Sequence, residues 1–139
     1  YNIKKPLDLG VMQIAASSIE GIRNFGPFSG RSGNRNTIRE LFECSVNSSA
    51  NIITIRLIAN AFLNQQVRRT VGALLQLGLG NITLQEFDLL SKCDRVGASS
   101  WVAPPHGLVL TKVSYEKDLF LNKDAISTNA PALKLGSLV

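Results

Sequence analysis

Apolar positions along this chain follow two different rhythms, and the change between them outlines its elements. In LDLGVMQIAASSIEG, Leu9, Met12, Ala16 and Ile19 recur at the i, i+3, i+7, i+10 spacing of one helical face, with Asp8 placed as N-cap and Gly21 as a stop. The spacing predicts a helix over residues 8–20. The following IRNFGPFSGRSGNRN is rich in Gly, Ser, Asn and Arg with no periodic apolar face, and reads as a basic surface loop. NTIRELFECSV then alternates, with Ile38, Phe42, Cys44 and Val46 expected on one side. NSSAN supplies turn residues before the β-rich IITIRLIA, so a hairpin is expected.

From Phe62 to about Leu77 the helical rhythm returns through Leu63, Val67, Val71, Leu74 and Leu75, and GLGN ends it as a C-cap and turn. This should be the principal core helix. TLQEFDLLSK opens with Thr83 and Glu86 in capping-box spacing, which predicts a short helix. ASSWVAPPHG is a stiff loop because Pro104 and Pro105 fix their own φ angles, and GLVLTKVSY reads as a strand. No structure is assigned to residues 120–139. The order of helix, strand, strand, helix, helix, strand gives an α+β fold: an antiparallel sheet covered by helices, a two-layer sandwich.

Composition narrows the class. A chain of 139 residues, 45% hydrophobic and 18% charged, suits one domain with a real core. Its 15 Lys and Arg against 10 Asp and Glu, a formal charge of +5, favour a polyanionic partner. Cys44 and Cys93 lack metal or disulfide spacing and are expected as reduced, buried thiols. No apolar run approaches a membrane span and the start lacks the apolar core of a signal peptide, so a soluble chain without a membrane association is expected. The first residue is not Met, as in a domain cut from something longer.

Few residues offer chemistry. His106 is the lone histidine and reads as a loop residue, with no serine in a nucleophile-elbow context to serve. SGRSGNRNTIR brings Arg31, Arg35 and Arg39 together with small polar neighbours, which suits phosphate contacts or a solvated loop equally. Arg68 and Arg69 lie on helix faces about 100° apart, beside the stripe through Val67 and Val71. By periodicity alone they read as snorkelling side chains at the helix edge.

ANAFLNQQVRRTVGALLQLGLG, followed by APPHGLVLTKVSY, resembles the C-terminal half of the tRNA pseudouridine synthase A family, whose pattern runs ANxFL, QVR or MVR, VGxLxxVGxG and APPxGLxLxxVxY. PLDLGVMQIAASSIEG and NTIREL match its upstream PLD, AAxxLxG and TVRxI segments. The resemblance covers residues 1–115 and leaves 116–139 as an unmatched tail of uncertain structure. It implies isomerisation of uridine to pseudouridine in tRNA, without cofactor or metal, by a homodimeric enzyme of the cytoplasm or an organelle matrix. The family's essential aspartate stands in an RTDxGVHA segment of the preceding half, which this chain lacks. The chain alone should therefore be inactive, its partner being the N-terminal half of the same enzyme.

Carried over residue by residue, Arg68 resembles the arginine that pairs with that aspartate, where a nearby cation would keep the carboxylate ionised. Leu108 resembles the residue that packs on the target uracil. Asn60 and Phe62 would shape the same substrate-binding floor, with Phe25 a further substrate-binding candidate, while Arg31, Arg35, Arg39 and Arg69 are candidates to face RNA by their charge and setting and not by the resemblance. Departures are local: the family's HDF stands here as Arg23, Asn24 and Phe25, Asn64 and Gln65 precede QVR, and Trp101 occupies a usually small position. Two other readings are a non-catalytic RNA-binding or structural domain derived from such a synthase, and an unrelated small-molecule enzyme on the same sandwich.

Overall fold

The structure, a computed structural model, describes residues 1–30 and 36–113, with the backbone of 134–137. The first helix, α1, spans Leu9–Ser18, and Asp8 caps it by accepting from the Val11 N–H at 3.1 Å. Met12, Ala15, Ala16 and Ile19 are fully buried, so the expected apolar stripe is the face that packs. Residues Gly21–Asn24 form a short strand, β1, and Gly26–Phe28 a 3-10 turn. The part of the expected surface loop up to residue 30 is thus structured, and residues 31–35 of it lie outside the described residues. Its apolar residues carry no period because Phe25 and Phe28 enter the core from a turn, not from a regular element.

The hairpin is present as β2, Ile38–Ser49, and β3, Ile52–Ala59, joined through Ala50 in the left-handed conformation at φ 51°. Register shifts between Leu41 and Glu43, where a bulge opposes Phe42 to no single partner. The bulge resets the alternation, so Leu41, Cys44 and Val46 face the helices while Ile38 is 49% exposed. The expected grouping of Ile38 with Cys44 and Val46 therefore does not hold. Because β1 is only four residues long, it leaves the far part of β2 with unpaired amides on that edge. Side chains of and just after α1 close the gap: Glu20 Oε1 accepts from Cys44 N–H at 2.8 Å, and Gln13 Oε1 from Val46 N–H at 2.7 Å.

The core helix, α2, spans Gln66–Gly78 and starts four residues later than its apolar stripe suggests. Gln65 sits in the left-handed conformation at φ 59° and cannot continue a helix, while the buried Gln66 turns back to accept from Leu63 N–H at 2.8 Å. The third helix, α3, spans Leu84–Lys92 and has the full capping box, Thr83 N–H to Glu86 Oε2 at 2.7 Å and Glu86 N–H to Thr83 Oγ1 at 3.1 Å. Phe87 of α3 reaches Phe28 with ring centroids 6.0 Å apart. Met12, Ile19, Leu41, Ile55 and Leu74 complete one core between the sheet and the helices.

Two expectations for the end of the chain change. Gly107 closes a 3-10 turn, Pro105–Gly107, and residues 108–113 form no strand. Leu108, Val109, Leu110 and Val113 of that segment are exposed. A fourth strand, β4, lies instead at Lys134–Ser137 and pairs antiparallel with β3. The sheet order is β1-β2-β3-β4, all antiparallel, and with the helices it gives the expected α+β fold.

Candidate functional site

The start of α2 concentrates positive charge. A helix N-terminus carries a partial positive charge from unpaired amides and favours acidic side chains in its first turn. Here the first turn has no acidic residue and contains Arg68, with Arg69 next to it. Both are half-buried. The ion pairs among the described residues are Arg56–Glu43 and Lys92–Asp88, so neither Arg68 nor Arg69 has a carboxylate partner there. An uncompensated, partly desolvated cation at the positive end of a helix is a site that an anion would stabilise.

Hydrogen bonds fix these arginines against the loop that precedes the Pro-Pro turn. Arg68 Nε–H donates to the Ala103 carbonyl at 2.8 Å, and Ala103 N–H donates to the Arg68 carbonyl at 3.0 Å. Arg69 Nη1 donates to the Ser99 carbonyl, while the Ser99 hydroxyl donates to the Arg69 carbonyl at 3.3 Å. Arg69 Nε also reaches Gln65 Oε1 at 3.0 Å. The other side of the loop is held by Gly97 N–H to the Gly26 carbonyl and Ser99 N–H to the Pro27 carbonyl, both 2.9 Å. Residues 97–103 therefore lie between the 3-10 turn at 26–28 and α2.

Such an approach needs a gap in the helix surface, and Gly72 provides it. A Cβ there would lie 2.5 Å from the Trp101 carbonyl oxygen and 2.7 Å from its carbon. Residues 68, 69 and 72 share one side of α2, which makes that side a platform for the loop. A groove of about 400 Å³ opens beside it, lined by Tyr1, Lys5, Gly72, Leu75, Trp101 and Pro104. Tyr1 also meets His106, the lone histidine, edge-on at 5.9 Å.

The remaining predicted residues are distributed unequally. Leu108, 38% exposed, follows the 3-10 turn, which Leu108 N–H closes on the Pro105 carbonyl. Phe62, 37% exposed, precedes α2, so both apolar side chains stay accessible. Asn60 has a structural job: its carboxamide oxygen accepts from the amides of Glu40 and Ala61 at 3.0 and 2.8 Å, tying β2 to the end of β3. Phe25, also expected at the substrate, is 1% exposed and packs in the core.

Arg39 lies opposite Arg23 in the β1–β2 register, and its Nη1 donates to the carbonyls of Asn36 and Ile38. Arg31 and Arg35 lie outside the described residues. Cys44 is fully buried, and burial, with Glu20 and Glu43 nearby, pushes its thiol pKa well up. Cys93 is half-buried, so the expected pair of buried thiols is one. Among the described residues no His, Cys, Asp and Glu cluster could hold a metal ion, and no helix is long and apolar enough to cross a membrane.

Sequence reading missed Gly72, Ser99 and Ala103. The signal for Gly72 was its position three and four residues after the arginines, on their side of the helix. Nothing local marked Ser99 or Ala103, because their partners are 30 and 35 residues away.

Comparison with known proteins gives a coherent result. A family model described as tRNA pseudouridine synthase matches residues 15–116. The protein named tRNA pseudouridine synthase A of Thermoanaerobacter sp. (strain X514) is 36% identical over 117 residues, covering 83% of this chain and 48% of that protein. Its namesake from Shewanella amazonensis is 38% identical over 119 residues, covering 84% and 45%. That of Wolbachia pipientis subsp. Culex pipiens is 33% identical over 117 residues, covering 83% and 47%. The chain spans about half the length of the curated relatives it matches.

Proposed function

The chain belongs to the tRNA pseudouridine synthase family, and on that premise we propose that it is the C-terminal half of an enzyme that converts uridine to pseudouridine in tRNA. Residues 1–115 form the domain proper in this reading, and 116–139 follow it as a tail. The reaction is an isomerisation: the N1–C1′ bond is replaced by a C5–C1′ bond, the C5 proton is lost to solvent, and the freed N1 takes up a proton. It requires the base to be drawn out of its stack into a pocket.

The observation that carries the proposal is Arg68: half-buried, oriented by Ala103, at the positive end of α2, and without a carboxylate partner among the described residues. In the assembled enzyme it faces the aspartate supplied by the N-terminal half. The guanidinium keeps that carboxylate ionised and oriented for its work on the uridine. Leu108, with Phe62, gives an apolar wall against which the extruded uracil packs. The net positive charge contributes to holding the tRNA backbone. The full-length enzyme works as a homodimer in the cytoplasm or an organelle matrix, wherever its tRNA is present.

The test uses the full-length parent protein and an unmodified tRNA transcript labelled with tritium at uridine C5. Release of tritium to water together with appearance of pseudouridine is the expected result. Binding of the transcript without release would replace the isomerase by an RNA-binding domain derived from one.

A further inference from the structure

We propose that Arg69 is a positioning residue: it locks the 97–104 loop onto α2 so that the Ala103 carbonyl holds the Arg68 guanidinium in one orientation. What Arg68 then faces rests on the isomerase reading above. The lock itself rests on hydrogen bonds within this chain.

Arg69 commits two donors in two directions, Nε to Gln65 on its own helix and Nη1 to Ser99 on the loop. Ser99 is fully buried, so its carbonyl needs a partner, and the charged Nη1 supplies a strong one. The Ser99 hydroxyl returns the contact to the Arg69 carbonyl. This pairing repeats the one between Arg68 and Ala103, where guanidinium and backbone are again exchanged between helix and loop. The two arginines thus make a double rung, with the Gly72 gap beneath Trp101 allowing the loop to lie close enough for both.

The rungs do different work. Arg69 is committed at Gln65 and Ser99, whereas Arg68 spends only Nε on the loop and leaves its Nη groups without a partner among the described residues. Opening the Ser99 rung frees the loop on the side nearest Ala103. The Arg68 acceptor then moves, and misplacement of about 1 Å at a reacting centre costs on the order of 100-fold in rate. A lysine cannot replace Arg69, since one ammonium lacks the planar fork that spans Gln65 and Ser99.

The experiment compares Arg69→Met and Arg69→Lys with the wild type in the full-length parent protein. In NMR spectra the Arg68 Nε–H signal, assigned with Arg68→Lys, is expected to be protected from exchange with water in the wild type. It should lose that protection in both variants while the folded spectrum persists. Retained protection in both variants would overturn the proposal whether or not the parent forms pseudouridine.

With C5-tritiated tRNA, both variants should lose roughly 10- to 100-fold in kcat with KM and salt dependence unchanged. Should Arg69 instead hold a phosphate, Arg69→Met would raise KM and lower the slope of log K against log salt by just under one, and Arg69→Lys would restore both. That pattern overturns the proposal. A wild type that binds tRNA and forms no pseudouridine defeats the isomerase reading, and the Arg68 signal still decides the lock.

Discussion

Adding a methyl group at residue 72 sets two effects against each other. An alanine in a helix interior is worth about 1 kcal/mol more than a glycine, so on propensity alone Gly72→Ala stabilises α2. The new Cβ would stand 2.5 Å from the Trp101 carbonyl oxygen, and ordinary contact begins at 3.4 Å, so the loop must retreat by about 0.9 Å. The Arg68–Ala103 hydrogen bonds at 2.8 and 3.0 Å then stretch beyond useful length. One neutral and one charge-assisted bond together contribute about 2.5 to 4 kcal/mol. The net effect is a destabilisation of about 2 kcal/mol, a fall in Tm of roughly 6–10 °C. Thermal and urea unfolding of Gly72→Ala beside the wild type read it directly. A rise in stability near 1 kcal/mol would mean that the loop does not rest on Gly72, and would refute the reasoning.

Other expectations follow from single contacts. Thr83→Ala removes one half of the capping box and should cost about 1 kcal/mol in urea unfolding, with Thr83→Ser nearly neutral. Asn60→Ala frees the Glu40 and Ala61 amides, and hydrogen exchange at Glu40 should accelerate while α1 stays protected. In the folded protein a thiol reagent should modify Cys93 and spare Cys44. Burial raises the folded-state pKa of Cys44, so the unfolded state loses its proton first as pH rises. Stability from this group is full below the unfolded thiol value of about 8.5 and declines above it. Cys44→Ala should flatten that alkaline decline, as measured by unfolding at pH 7 to 10.

Features written in adjacent residues were legible. Asp8 before its apolar stripe and Thr83 with Glu86 announced two helix starts, and alternation announced the hairpin. What failed depended on distant partners or on one unusual backbone angle. The bulge near Phe42 changes which side chains face inward without leaving a periodic trace. Gln65 delays α2 through a left-handed φ that its residue type does not advertise. Strand β1 is too short to show a period, and residues 108–113 have strand composition but form no strand. At the site, Arg68 stood out through the motif around it, whereas the side chain and loop that orient it come from far along the chain.

Single-turnover conversion of C5-tritiated tRNA by the full-length protein, wild type against Arg68→Met, tests the central claim most directly. Without the guanidinium the carboxylate is no longer held in place, and misplacement of about 1 Å at a reacting centre costs on the order of 100-fold, so the variant should lose roughly 100-fold in rate while still binding tRNA. A variant that forms pseudouridine at the wild-type rate would contradict the account.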